Sequence, residues 1–187
     1  PSSQNLVSMT PWVTGSEDRM GYQATIKKLG LSAIFDIKGD ASAASKRISH
    51  LGLVLPSEAN TATEKDGQYL CWVGENHWLL LAPAEKENQL LDTLAPHDPA
   101  MDCRIVLVSD AYTFFTVTGN QANEILAIAS PLDIRPINFP ENAATYSELF
   151  GIRGLIMRRQ NGYLIAVERS YTDMIAIYFE KVLTGKG

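Results

Sequence analysis

The feature that most constrains the fold is a pattern of residues that occurs twice, 80 positions apart. Residues 113–136 read TFFTVTGNQANEILAIASPLDIRP, and residues 33–56 read AIFDIKGDASAASKRISHLGLVLP. Each copy begins with period-two alternation, continues with a glycine and an Asp or Asn, and ends with apolar residues at helical spacing. The pattern predicts, in each copy, a strand that ends at the glycine and a helix that follows it. The repetition indicates a tandem duplication.

Individual residues align between the two copies at this constant offset. The glycine that ends each predicted strand is followed by a residue that favours the N-cap position of a helix, so Asn120 is predicted to cap the second-copy helix. The aligned pairs are Phe35 with Phe115, Ile37 with Val117, Gly39 with Gly119, Asp40 with Asn120, and Pro56 with Pro136.

The duplication continues beyond these units. Residues 77–94 and 162–179 both read as a buried strand followed by a helix, and each is preceded by a strand and a tight turn. The pair Asn161-Gly162 is typical of a hairpin turn, which needs positive φ at both central residues. Each half therefore reads strand–helix–strand–strand–helix. The apolar run 103–108 adds a sixth element to the first half and gives the ferredoxin-like order.

These patterns predict an α+β fold, internally duplicated, in which two ferredoxin-like β-α-β-β-α halves form one compact unit. The chain is interpreted as a single domain over residues 1–187, with an N-terminal arm at 1–22, a first pseudo-repeat at 23–109 and a second at 110–187. The second half lacks a sixth strand, and our hypothesis is that residues 23–28 supply it. Residues 57–68 read as a flexible surface loop, and residues 138–149 as a link between the second-half helix and the final hairpin.

The last predicted helix begins near Ser170, with Asp173 in the position of a capping-box acid. Residues 174–179 are apolar at six consecutive positions, although a helix with one buried face needs only an apolar stripe. Two interpretations stay open: the helix is buried on two sides within this chain, or one side contacts another protein.

The bulk composition narrows the classes of function. Hydrophobic residues make up 45% of the chain and the formal net charge is −5, which argues against nucleic acid or an anionic membrane as the main partner. No apolar run is long enough for a membrane helix, and the first residues do not resemble a signal peptide. Cys71 and Cys103 each lie in an apolar strand, which favours free thiols and a cytoplasmic location.

The sequence contains few motifs that indicate chemistry. The histidines and cysteines share no ligand spacing, so no metal site is expected. The sequence contains neither a nucleophile elbow nor a dinucleotide-binding glycine loop, so this chain alone is expected to bind no cofactor and to contribute no catalytic residue. Trp72 and Trp78 are interpreted as core residues.

Four residues are candidates for a binding site. Asp110 and Tyr112 lie at the junction of the two halves, where an Asp could accept a hydrogen bond from an amine or simply bond its own turn. Arginines concentrate in and after the final hairpin, where Arg153 and Arg169 could bind an anion or carboxylate. A charged partner surface and a solvated hairpin face are the open alternatives.

Three stretches resemble a known family. Residues 72–83 (WVGENHWLLLAP), 109–136 and 168–179 (ERSYTDMIAIYF) are similar in order and spacing to the gamma subunit of heterotetrameric sarcosine oxidase, over about residues 31–183. That family is similar in fold to the folate-binding module of glycine-cleavage aminomethyltransferases. Ser130 stands where members often have Cys or Gly, a departure that could mark a related N-methyl amino acid dehydrogenase.

The resemblance implies a place in a complex of four different subunits that demethylates sarcosine to glycine. The complex would use FMN, FAD and NAD. Tetrahydrofolate would take up the one-carbon unit as 5,10-methylenetetrahydrofolate, and oxygen would be reduced to peroxide. The partners would be larger flavoprotein alpha and beta subunits and a small zinc-binding delta subunit, with no known catalytic residue in gamma.

Two other functions stay open. The chain could be a stand-alone tetrahydrofolate-binding or aminomethyltransferase-like protein that uses a cleft between the halves. Asp110 would then hold the amine, Arg153 or Arg169 would bind the folate carboxylates, and Tyr112 would line the site. A homodimeric scaffold without a ligand is the third possibility.

Overall fold

The computed structural model describes residues 13–14 (backbone only), 22–94 and 102–185. They form a mixed α+β fold with two antiparallel sheets and four α-helices. The chain divides into two compact units: Leu31–Asp110 lie in unit one, and the described residues up to Gly30 join those from Ala111 onward in unit two. Most of the predicted arm, residues 1–22, lies outside the described residues.

The first two strands along the chain, β1 (Val13–Thr14) and β2 (Thr25–Lys28), belong to unit two. Unit one follows without interruption. Its elements are β3 (Ser32–Gly39), α1 (Ala41–Ser49), β4 (Ala62–Lys65), β5 (Gln68–Gly74), β6 (His77–Pro83), α2 (Glu87–Leu94) and β7 (Cys103–Leu107). The sheet of unit one has the order β4-β5-β6-β3-β7, and all of its neighbouring strands are antiparallel.

The remainder of the chain completes unit two. Its elements are β8 (Tyr112–Thr118), α3 (Ala122–Ala129), β9 (Ala144–Leu149), β10 (Ile152–Arg159), β11 (Gly162–Glu168) and α4 (Thr172–Thr184). The sheet has the order β1-β2-β8-β11-β10-β9. No helix among the described residues is long and apolar enough to cross a membrane.

The two sheets have equivalent topologies. Read from one edge, β4-β5-β6-β3-β7 corresponds to β9-β10-β11-β8-β2, so β2 occupies in unit two the place of β7 in unit one. The register pairs Ile26 with Val117, as Ile105 pairs with Ile37. The predicted duplicated α+β fold is confirmed, and so is the hypothesis that residues 23–28 supply the missing strand.

The two aligned glycines explain how the chain before β7 and before β2 approaches so closely. Gly39 and Gly119 have φ angles of 135° and 111°, a region that L side chains rarely adopt. A Cβ on Gly39 would lie 2.2 Å from the carbonyl oxygen of Asp102, next to β7, and one on Gly119 would lie 2.9 Å from that of Gln23, just before β2. Gly39 thus leaves room for the backbone that leads into β7, and Gly119 for the backbone that leads into β2.

Each unit has its own core, in which the two helices cover one face of the sheet. The core of unit one includes Phe35, Ile48, Trp78, Leu80, Leu90 and Leu94. The core of unit two includes Ile26, Phe115, Ile125, Tyr163, Ile165, Ile175 and Phe179. Trp78 is buried and Trp72 packs against the core of unit one, so their interpretation as core residues is confirmed.

Two segments predicted as connections contain strands. The interpretation of residues 57–68 as a flexible loop is wrong, because β4 forms there and pairs with β5. The section 138–149 is not a simple link, because it contains β9, which pairs with β10. Both are outer strands with a neighbour on one side only, and such strands need no strong apolar alternation.

Two predicted caps are also wrong. Asp40 does cap α1, accepting a hydrogen bond from the amide of Ala43 at 2.9 Å. In the second copy, however, Gln121 and not Asn120 is the N-cap of α3. The last helix begins at Thr172, after a short 3-10 turn, so Ser170 does not cap it.

The topology predicts that residues 105–187 alone do not form a stable unit two. The fragment lacks β2, so the backbone N–H and C=O groups of β8 that pair with it would lose their partners, and the core beneath would be exposed to water. We expect no cooperative thermal transition by circular dichroism.

Residues 31–110 are the matched control, because they contain all five strands of their sheet and are expected to melt cooperatively. Fusing residues 22–30 behind α4 through a short flexible linker should restore folding, since β2 would then follow α4 as β7 follows α2. A cooperative transition in the unmodified 105–187 fragment would contradict this account.

Candidate binding surface of the second unit

A cluster of two tyrosines and an arginine lies on the sheet of unit two. Tyr112 in β8, Tyr146 in β9 and Arg153 in β10 all point to the face that the helices do not cover, because Thr113, Ser147 and Gly154 next to them alternate toward the helical face. The two tyrosine hydroxyls are 3.1 Å apart, and the Arg153 guanidinium carbon lies 4.1 Å from the centre of the Tyr146 ring.

Stacking fixes Arg153 without using its hydrogen-bond donors. The guanidinium contacts the ring face, and no described residue accepts a hydrogen bond from its N–H groups. A stacked arginine whose paired N–H groups have no acceptor can bind a carboxylate or phosphate through two parallel hydrogen bonds. Glu148 pairs with Arg153 in register and Glu168 pairs with Tyr112, so two carboxylates partly offset the positive charge.

The structure brings together some of the predicted site residues. Tyr112 and Arg153 both contact Tyr146, which lies in β9, a strand that the sequence pattern does not predict. Arg169 is exposed in the 3-10 turn before α4, and Asp110 is exposed at the end of unit one. A single site containing all four predicted residues therefore stays a prediction.

A second arginine of the final hairpin has a structural role. Arg158 donates hydrogen bonds to the carbonyl of Ile134 at 2.8 Å and to the hydroxyl of Tyr163 at 3.2 Å. Tyr163 is buried and donates in turn to the side-chain oxygen of Asn123 at 2.7 Å. Burial raises the pKa of Tyr163, and the nearby Arg158 charge offsets part of that effect.

Asp133 accepts several hydrogen bonds in the loop that follows α3. Asp133 accepts hydrogen bonds from the side chains of Arg135 and Asn138 and from the Arg135 amide. These bonds, first of all those from the Arg135 side chain, hold the pKa of the Asp133 carboxyl well below its usual range. Asp133 thus has a local structural role in the loop that follows the helix.

The cysteines and histidines of the described residues make no metal centre. No group of three or more His, Cys, Asp or Glu side chains in this part of the chain is arranged to hold a metal ion. His77 instead contacts Asp36 on the neighbouring strand, and Lys38 lies 3.1 Å from the same carboxylate. Cys71 and Cys103 are buried and are not joined in a disulfide, and burial raises the pKa of Cys103.

Comparison with solved structures defines the class of fold. The fold is similar to the heterotetrameric sarcosine oxidase from Corynebacterium sp. U-96 in complex with pyrrole 2-carboxylate (TM-score 0.74, 18% identity, 87% of this chain and 84% of that chain). It is also similar to the glycine cleavage system aminomethyltransferase T from Bartonella henselae (TM-score 0.63, 16% identity, 86% of this chain and 46% of that chain). The chain thus spans less than half the length of that aminomethyltransferase.

The family follows from the sequence. Residues 36–184 match the sarcosine oxidase, gamma subunit family, and the chain belongs to that family. The resemblance inferred from the three sequence stretches is confirmed. A comparison with curated proteins gives no match.

The buried Tyr163 network predicts a specific dependence of stability on pH. Replacing Tyr163 with Phe removes the bonds to Asn123 and Arg158 and should cost about 1 kcal/mol near neutral pH. The raised pKa of Tyr163 means that the unfolded chain loses this proton first, so wild-type stability falls as pH rises above about 10.

The free-energy difference between wild type and Tyr163→Phe should therefore shrink at alkaline pH. Urea denaturation at a series of pH values from neutral to alkaline measures this difference. The contributions of other titrating groups to the free energy of unfolding are the same in both proteins and cancel in the difference. Two curves that stay parallel over the whole range would contradict the role assigned to Tyr163.

Proposed function

We propose that this chain is the gamma subunit of a heterotetrameric, flavin- and tetrahydrofolate-dependent sarcosine oxidase. The complex would oxidise sarcosine to glycine and form peroxide and 5,10-methylenetetrahydrofolate. The observation that supports this most strongly is the family match over residues 36–184. The fold similarity to the Corynebacterium sarcosine oxidase agrees with it.

The role proposed for the chain within the complex is structural. Larger alpha and beta flavoprotein subunits would bind FMN, FAD, NAD and the folate, and a small delta subunit would bind zinc. Ile128 in α3 and Ile177 and Tyr178 in α4 are large apolar side chains that remain exposed in this chain. Exposed apolar groups on neighbouring helices favour a surface that another protein covers. We place the complex in the cytoplasm.

Native mass spectrometry of the tagged chain, isolated gently from its own organism, tests this proposal. We expect a yellow assembly that contains two larger flavoproteins and a small fourth subunit, with flavin bands in the absorption spectrum. Assaying that assembly with sarcosine and with N-methylglutamate would separate a sarcosine oxidase from a related dehydrogenase. A colourless monomer or homodimer would contradict the proposal.

A second candidate function is supported by the Tyr112–Tyr146–Arg153 cluster. We infer that, if the chain binds a ligand by itself, this cluster would contact its carboxylate group. The stacked guanidinium offers two parallel donors, and the tyrosine hydroxyls offer two more polar groups beside it. A reduced folate, whose glutamate carries two carboxylates, is the ligand that the aminomethyltransferase-like fold suggests.

Calorimetric titration of the isolated chain with tetrahydrofolate tests the second candidate. Arg153→Ala should weaken binding about tenfold or more, because a bidentate charged contact is lost. Arg153→Lys should recover only part of the affinity, since lysine retains the charge without the fork. Arg104→Ala, an exposed arginine of unit one, is the matched control. Equal affinity in all variants, or no binding by the wild type, would exclude this candidate.

A further inference from the structure

The helices of unit two carry an apolar patch on their outer surface. Ile128 at the end of α3 is 49% exposed, and Ile177 and Tyr178 in the middle of α4 are 49% and 39% exposed. The two helices pack against each other. Residues 174–179 are therefore not fully buried within this chain, which answers the question that their six apolar positions raised.

Phe150 links the end of α3 to Tyr178 in α4. Its amide donates a hydrogen bond to the carbonyl of Ala129 at 2.7 Å, next to Ile128. Its ring centre lies 5.2 Å from the ring of Tyr178 and 5.1 Å from that of the buried Phe179. Phe150 thus lies between the end of α3 and the middle of α4, and we call Ile128, Phe150, Ile177 and Tyr178 the helical patch.

The backbone at Phe150 is strained in a way that favours a functional explanation. Phe150 has a φ of 51° and is followed by Gly151 at 81°, in the turn between β9 and β10. Such turns favour Asn, Asp or Gly, and the other described non-glycine residues with positive φ are Asn60, Asp66 and Asn76. A bulky aromatic residue is costly there, and strain of this kind concentrates at functional surfaces.

Charged residues flank Ile177 and Ile128 on the helix surfaces, and most are acidic. Asp173, Glu180 and Lys181 lie four, three and four residues from Ile177 on α4, so they are its neighbours on the helix surface. Glu124 lies one turn before Ile128 on α3. All four side chains are exposed, and none forms an ion pair with another described residue. These four residues, which we call the rim, carry three negative charges and one positive charge.

We propose that the helical patch docks onto an apolar surface ringed by Lys or Arg on a larger subunit of the complex. This inference rests on the proposed function and adds the chemistry of the partner. A second copy of the chain fits less well, because a two-fold contact would bring two acidic rims together. Residues 1–21 of the same chain fit less well too, because they contain Glu17 and Asp18 against a single Arg19.

Hydroxyl-radical footprinting of the full chain, alone and in the purified complex, tests the location of the contact. Oxidation of Tyr178, Ile177 and Ile128 should fall severalfold on assembly, because the partner excludes water from them. Val54 and Ile137, at 70% and 86% exposure, are internal controls on unit one and on a loop of unit two, and their oxidation should not change.

Charge and apolarity can be tested separately in co-expressed complexes. Ile177→Asp should weaken assembly about tenfold or more, as expected for a central apolar contact. Val54→Asp, at a more exposed position, is the control. The pair Asp173→Lys and Glu180→Lys should slow association, whereas Asp173→Asn and Glu180→Gln should have a smaller effect. Raising the salt concentration should weaken the wild-type complex but not the lysine variant.

Each outcome decides the inference. Protection of the patch together with loss of assembly in Ile177→Asp, with an unchanged melting temperature of the free chain, supports it. An intact complex with no protection and no effect of these variants overturns it and leaves the proposed function standing. Failure of the wild-type chain to assemble with larger subunits overturns both. If the protection arises from homodimerisation, a second copy of the chain covers the patch and the inference is wrong. If the protection disappears when residues 1–21 are deleted, those residues cover the patch and the inference is also wrong.

Discussion

The pairing of β2 with β8 is the interaction on which unit two depends. Leu29 donates its amide to the carbonyl of Phe114 at 2.8 Å, and the amide of Gln23 donates to the side chain of Gln121 at 2.6 Å. Ile26 lies in the same core as Val117. The strand that completes the second sheet thus comes from before the first unit, and unit one is an insertion in the sequence of unit two. The stability of unit two therefore depends on a segment far away in sequence. Pairing that segment with β8 costs the conformational entropy of closing a long loop.

Periodicity made the duplicated core predictable. The offset of 80 located β3 and β8 together with the helices that follow them. Gly39 and Gly119 marked a real steric requirement, because the backbone that leads into β7 lies against the first and the backbone that leads into β2 lies against the second. The outer strands β4 and β9 could not be found in this way. Each has a neighbour on only one side, so its side chains need not alternate strongly between apolar and polar.

The candidate surfaces were only partly predictable, for related reasons. Tyr112 and Arg153 were identified by residue type, but Tyr146, which contacts both, lies in a strand that the sequence did not indicate. The apolar run in α4 raised the question of a partner, yet only the structure shows that Ile177 and Tyr178 are exposed and that Phe150 joins them to α3. Exposure depends on packing between elements far apart in sequence, which local patterns do not encode.

Native-state hydrogen exchange at Leu29 tests the dependence of unit two on β2 most directly. If β2 is an integral strand, the Leu29 amide should exchange with the same free energy as the amides of β8, because it opens only when the whole unit unfolds. Rapid exchange at Leu29 beside fully protected β8 amides would show that β2 detaches while unit two stays folded, and it would contradict this account.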